Sequence, residues 1–214
     1  MIYSSSINRV LIKIWRDILS HSVQPQAILI TSALSEEGST TVAVNLAKIL
    51  SEENNSKILL IEGNIRNPVI QDILNLPGTK GLTDHILNNA PLHEVIQATS
   101  IPNLSVICSG SNKEDFFSFD ATKQFTRLIE QVKEEYKIIL FDALPVLEYP
   151  KTAFISSHFD GTILIVRAHK TLRSDVEKAK EEIINSGGKI LGVILNRKKN
   201  YVPEKIYRKY FGHD

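Results

Sequence analysis

The sequence predicts a doubly wound α/β domain, a mainly parallel sheet with helices on both faces. Three observations predict it. Six short runs rich in Ile, Leu and Val lack clean alternation, as strands covered on both faces do. Stretches with helical apolar spacing lie between them. The two kinds of segment take turns along the chain, the order that builds parallel sheets through helical crossovers.

The strand runs are Ala27–Thr31, Lys57–Glu62, Leu104–Cys108, Lys137–Asp142, Gly161–Arg167 and Lys189–Asn196. The helical stretches between them each carry one apolar face. Thr41–Ser51 aligns Val42, Leu46, Ile49 and Leu50, and Phe119–Tyr136 aligns Phe125, Leu128, Ile129 and Val132. Thr171–Asn185 follows the same rule with Glu177, Lys178, Lys180 and Glu181 outward. Residues 23–200 are expected to form this domain. Residues 1–22 read as an amphipathic helix packed on it through Leu11, Ile14, Trp15 and Ile18, and residues 201–214 as a basic tail containing tyrosines.

Composition narrows the function classes. The 214 residues hold 25 Lys+Arg against 24 Asp+Glu, a net charge of +1, so no global field for nucleic acid exists and no nucleic-acid partner is expected. Cys108 is the single cysteine, which excludes an internal disulfide and a multi-cysteine zinc site. His85, His93 and His158 make no metal spacing. No apolar run approaches the ~18 residues of a membrane span, and a cytoplasmic location is expected.

In such sheets the chemistry sits at the C-terminal ends of the strands. After the first strand comes TSALSEEGSTTVAVNLA. A phosphate-binding loop places GxxxxGK[ST] here, with backbone N–H groups and a Lys around the phosphates and a hydroxyl on Mg²⁺. Gly38, Thr40 and Thr41 stand where the last glycine and the hydroxyls belong. Ser39 stands at the lysine position. The same residues also suit an ordinary strand–helix turn capped by Ser39, and the loop alone does not separate the two readings.

Five further segments keep order and spacing with this loop: LLIEGNIRNP, GLTDHIL, IILFDALPV, DGTILIVR and GVILN. With them, the chain from about residue 25 to 200 resembles the bacterial tyrosine kinases (BY-kinases) and polysaccharide co-polymerase kinases of capsule and exopolysaccharide assembly. These lie within the ParA/MinD-like P-loop group, so the resemblance implies a P-loop NTPase fold. It also implies ATP or ADP with Mg²⁺ as ligands. Gly38, Ser39, Thr40, Thr41 and Asn196 fall at its nucleotide-binding positions, Thr40 and Asp142 at its Mg²⁺ positions, and Glu62 and Asp142 at its catalytic carboxylates.

The departures from the family pattern cluster on that chemistry. The loop lysine is Ser39, a loop glycine is Glu36, and the two aspartates after the second strand are Glu62 and Asn64. A charged contact to phosphate is worth roughly 1.5–3 kcal/mol. An added carboxylate ~6 Å away repels by roughly 3 kcal/mol per unit charge at an effective dielectric of ~20. Together these would weaken ATP binding on the order of 10²–10⁴-fold.

The expectation is therefore a degenerate BY-kinase-like protein, a pseudoenzyme that acts by binding or regulation in exopolysaccharide or capsule biosynthesis. ATP and Mg²⁺ binding would be weak or lost. The alternatives are an active tyrosine autokinase with a variant loop and a ParA/MinD-like positioning ATPase. The resemblance implies a membrane co-polymerase, adaptor or related kinase subunit as partner, a homo-oligomer, and a place at the inner membrane through that partner. Tyr201, Tyr207 and Tyr210 resemble a sparse remnant of the family's phosphoacceptor cluster. Read as residues alone, Pro203–Phe211 also suits a short basic terminal helix.

Overall fold

The computed structural model describes residues 11–16, 18, 25–53, 56–78, 80–111 and 119–198. The expectations for Tyr201, Tyr207, Tyr210 and the rest of the tail lie outside the described residues. Among these, seven strands form one sheet: β1 (Ala27–Ser32), β2 (Ile58–Glu62), β3 (Ile96–Ala98), β4 (Leu104–Ile107), β5 (Ile138–Asp142), β6 (Gly161–Arg167) and β7 (Ile190–Asn196). Their order is β3-β4-β2-β5-β1-β6-β7. All neighbours are parallel except β3 against β4.

Residues 11–16 and 18 are helical (α1). The longer helices that follow are α2 (Ser39–Glu53), α6 (Phe119–Glu135) and α8 (Arg173–Asn185). The short ones are α3 (Ile70–Ile73), α4 (Leu82–Asn88), α5 (Leu92–Val95) and α7 (Lys151–Ser156). The six predicted strands are present to within a residue or two at each end. The sequence reading missed β3. Three half-exposed residues cannot display a period, and the strand exists because Ile96, Gln97 and Ala98 pair with Ile107, Val106 and Ser105.

β1, β2 and β5 are buried along their whole length. On one face Ile28, Ile30, Leu60 and Leu140 meet α2 and the α1 residues Leu11, Trp15 and Ile18. On the other, Leu29, Leu59, Ile139 and Phe141 meet Phe125, Leu128, Ile129 and Val132 of α6. Farther along that second layer, Ala179 and Ile183 of α8 cover Leu164 and Val166. Strands sealed on both sides leave only their ends for polar groups, and the C-terminal ends of β1, β2 and β5 converge on one place.

Two of the retained motifs are clamps for this frame. In DGTILIVR, Asp160 accepts hydrogen bonds from Gln26 N (2.9 Å) and Ala27 N (2.7 Å) and pairs with Lys133 Nζ (2.9 Å), which ties the start of β1 to α6. In GLTDHIL, Asp84 caps α4 by accepting from Gly81 N (2.8 Å) and holds Ser111 through N (3.2 Å) and Oγ (2.7 Å). Burial pushes the Asp160 carboxyl up. The bonds from Ala27, Lys133 and Gln26 outweigh it and leave the group below its ordinary value. Its contribution to stability is thus present above the unfolded carboxylate value and is lost as pH falls through the folded one. Asp160→Ala, which strands two backbone donors, should cost roughly 2–3 kcal/mol in urea denaturation at pH 7. The difference from wild type should shrink below about pH 4.

Candidate functional site

The loop from Ala33 to Gly38 leaves β1 and enters α2. Gly38 has φ +95°, and a Cβ there would lie 2.4 Å from Asn196 Nδ2, so only glycine fits. Its carbonyl accepts from Val42 N (3.1 Å), which makes Gly38 rather than Ser39 the capping residue. Ser39 is the buried first residue of α2. Glu36 sits at φ +65°, a left-handed conformation that costs a side-chain-bearing residue about 1 kcal/mol and suits the glycine of the family pattern.

Glu37 is buried and holds the loop from inside. Its Oε2 accepts from Ala33 N (2.9 Å) and Leu34 N (3.2 Å), and its Oε1 accepts from the Thr171 hydroxyl. Asn196 donates from Nδ2 to the Glu37 carbonyl (2.8 Å), and its Oδ1 accepts from Arg197 N (2.8 Å). Ser35 donates from N (2.8 Å) and Oγ to Glu148. Lys170 Nζ lies 3.3 Å from Glu36 Oε2 in an exposed ion pair.

Asp142 ends β5 in register with Ile30 of β1 and Glu62 of β2. Its Oδ2 accepts from Thr40 Oγ1 at 2.7 Å. Its Oδ1 is buried with no partner among the described residues. Burial pushes this carboxyl up to about 7. The Thr40 hydroxyl acts against that rise, and the neighbouring Glu62 adds to it. Glu62 is placed differently from a free catalytic carboxylate. Its Oε1 accepts from Val69 N (2.6 Å) and Ile70 N (2.7 Å) at the start of α3, and its Oε2 accepts from Ser109 N (3.1 Å).

A cavity of about 230 Å³ opens over the loop, lined by Glu36, Gly38, Thr40, Asn64, Arg66 and Tyr149 among others. A second, of about 530 Å³, lies between α1, α2 and the end of β7, with Leu11, Ile14, Thr41, Asn45, Asn196 and Arg197 in its wall. The structure therefore brings together Gly38, Ser39, Thr40, Thr41, Asp142 and Asn196. An oxygen pair from Thr40 and Asp142, with one carboxylate oxygen unpartnered, suits Mg²⁺, which takes few protein ligands and fills its shell with water and phosphate. Among the described residues no cluster of three His, Cys, Asp or Glu suits a metal. Thr171, Glu148 and Lys170 were not legible beforehand. They reach the loop from 113 to 134 positions away, and no local pattern marks them.

A family model for an AAA domain matches residues 27–173. The tyrosine-protein kinase CpsD of Streptococcus agalactiae is 36% identical over 171 residues, 79% of this chain and 74% of that protein. The chain belongs to the bacterial tyrosine kinase family. Among solved structures, the chimerical protein CapA2B2 superposes with a TM-score of 0.82 at 28% identity, covering 92% of this chain and 87% of that one. The septum site-determining protein MinD of Pyrococcus horikoshii, solved with Mg-ADP, superposes at 0.65 with 22% identity, over 86% of this chain and 76% of that one. This last likeness is one of fold. No helix among the described residues is long and apolar enough to cross a membrane.

Two outcomes follow from these carboxylates. The folded state holds the Asp142 proton more tightly than the unfolded chain, whose ordinary value is 3.8. Stability from the neutral form is therefore present below that value and lost as pH rises through about 7. Asp142→Asn should stabilise the protein by roughly 2–4 kcal/mol at pH 8 and by nothing measurable near pH 4, read from urea midpoints. Glu62→Ala leaves three backbone donors without their acceptor and should cost roughly 3–5 kcal/mol by the same measurement.

Proposed function

We propose that this protein is a degenerate member of the bacterial tyrosine kinase family. It acts by binding or regulation in exopolysaccharide or capsule biosynthesis, with weak or absent ATP turnover. The observation that carries the reading is the charge of the phosphate cavity. Its wall contains Glu36 against a single basic side chain, Arg66, while position 39 offers a short hydroxyl where the family pattern has a lysine. The carboxylate at the first of the pattern's two aspartates after β2 is not available to a nucleophile, because Glu62 is held by three backbone amides. Phosphoryl transfer relies on positioning and charge neutralisation, so these losses fall on turnover more heavily than on binding.

ATP or ADP would lie along the loop, with its base toward the cavity beside Asn196 and Arg197. Thr40 and Asp142 would hold Mg²⁺, which supplies charge neutralisation to the β- and γ-phosphates when bound. Asp142 has to ionise for this, so the affinity for Mg-ATP rises with pH through about 7. We place the protein at the inner membrane through a partner, a membrane co-polymerase, adaptor or related kinase subunit. The family membership and the likeness to CapA2B2 support a partner of this kind.

Calorimetric titration with Mg-ATP and incubation with labelled ATP test the reading together. Wild type should bind weakly and incorporate no phosphate. Ser39→Lys should raise affinity at least ~10-fold, the worth of one charged phosphate contact. Submicromolar wild-type binding with phosphotyrosine at Tyr201, Tyr207 or Tyr210, lost in Asp142→Asn, would instead establish an active autokinase.

A further inference from the structure

The turn after β6 grips the phosphate loop at two adjacent residues. Thr171 bonds to Glu37 and Lys170 pairs with Glu36, so consecutive side chains of the turn meet consecutive glutamates of the loop. The turn is itself well anchored. Thr171 N donates to the Arg167 carbonyl (3.1 Å), Arg167 N donates back to Thr171 Oγ1 (3.2 Å), and Ala168 N donates to the Asn196 carbonyl (2.9 Å). His169 takes φ +62° between them. Asn196 in turn holds Glu37. The position of Lys170 is therefore built into the same frame that shapes the loop.

Glu37 is consumed by the fold, but Glu36 is not. It lines the phosphate cavity, and its side chain is 75% exposed. An isolated carboxylate there repels a polyphosphate. A carboxylate paired with an ammonium 3.3 Å away presents a dipole whose field falls off much faster. We propose that Lys170 is a positioning residue for nucleotide binding. It neutralises Glu36 and so sets how well the loop accepts a nucleoside polyphosphate, supplying from the β6–α8 turn part of the charge missing at position 39. This rests on the reading that the loop receives nucleotide phosphates. Both members of the pair are exposed, so it adds little to folding, and its removal leaves a folded protein in which the electrostatic effect can be read alone.

The test is a double-mutant cycle in the Ser39→Lys background, with Mg-ADP affinity measured by calorimetry at low salt. Lys170→Met should weaken Mg-ADP binding about tenfold, Lys170→Arg should retain it, and the loss should shrink at high salt. Glu36→Gly alone should strengthen binding about tenfold, and in that background Lys170→Met should weaken it by the same factor or less, because the field of Lys170 on the phosphates adds to that of Glu36. Melting temperatures of all variants should stay together. An unchanged affinity in Lys170→Met overturns the proposal. So does an unchanged affinity in Glu36→Gly, and so does the absence of Mg-ADP binding in every variant. Failure of the broader functional reading shows up separately, as phosphate turnover by wild type.

Discussion

One hydrogen bond, from the Thr40 hydroxyl to the Asp142 carboxylate, joins the first turn of α2 to the end of β5. It spans the place where the chain leaves β1 in one direction and later returns through β6 on the other side, the crevice at which open α/β sheets carry their ligands. The carboxylate is fully buried, and a second one, Glu62, lies beside it in the sheet register. Two carboxylates in so dry a place are tolerable only if each is compensated. Glu62 is compensated by three backbone amides, and Asp142 by Thr40 and by a raised affinity for its proton.

That constraint extends to the other acidic residues of the family's motifs. The Glu62 side chain reaches over to α3 and Ser109, so it braces the ends of β2 and β4. Glu37 staples the loop, Asp84 caps α4, and Asp160 fastens the start of β1. Of these four acidic residues only Glu62 falls at a catalytic position of the family pattern, and all four act as structural acceptors. Motif retention in this chain therefore reports the needs of the fold more directly than the needs of phosphoryl transfer.

The loop shows the same separation from the other side. Gly38 suits its place because its backbone is left-handed, at φ +95°, and because a Cβ would press on Asn196 Nδ2. Glu36 occupies a conformation suited to glycine, and its exposed side chain lines the cavity and pairs with Lys170. The strain at Glu36 is small beside the stability of a domain with three buried apolar clusters, so the fold tolerates it. A bound polyphosphate would feel the same substitution at close range, through its charge.

The sequence by itself determined the α/β class, six of the strands, the long helices and the family, because runs of Ile, Leu and Val and the spacing of motifs are local properties of the chain. It also identified Gly38, Thr40, Asp142 and Asn196 as neighbours through the family's order of segments. The tertiary structure alone decided that Glu62 faces backbone amides, that Gly38 caps α2, and that Glu148, Lys170 and Thr171 hold the phosphate loop. It also added the short edge strand β3. These depend on contacts between residues as far as 134 positions apart, and on which way a carboxylate turns once its strand is buried. Spacing along a chain places a residue at the end of a strand. Only packing decides what its side chain meets there.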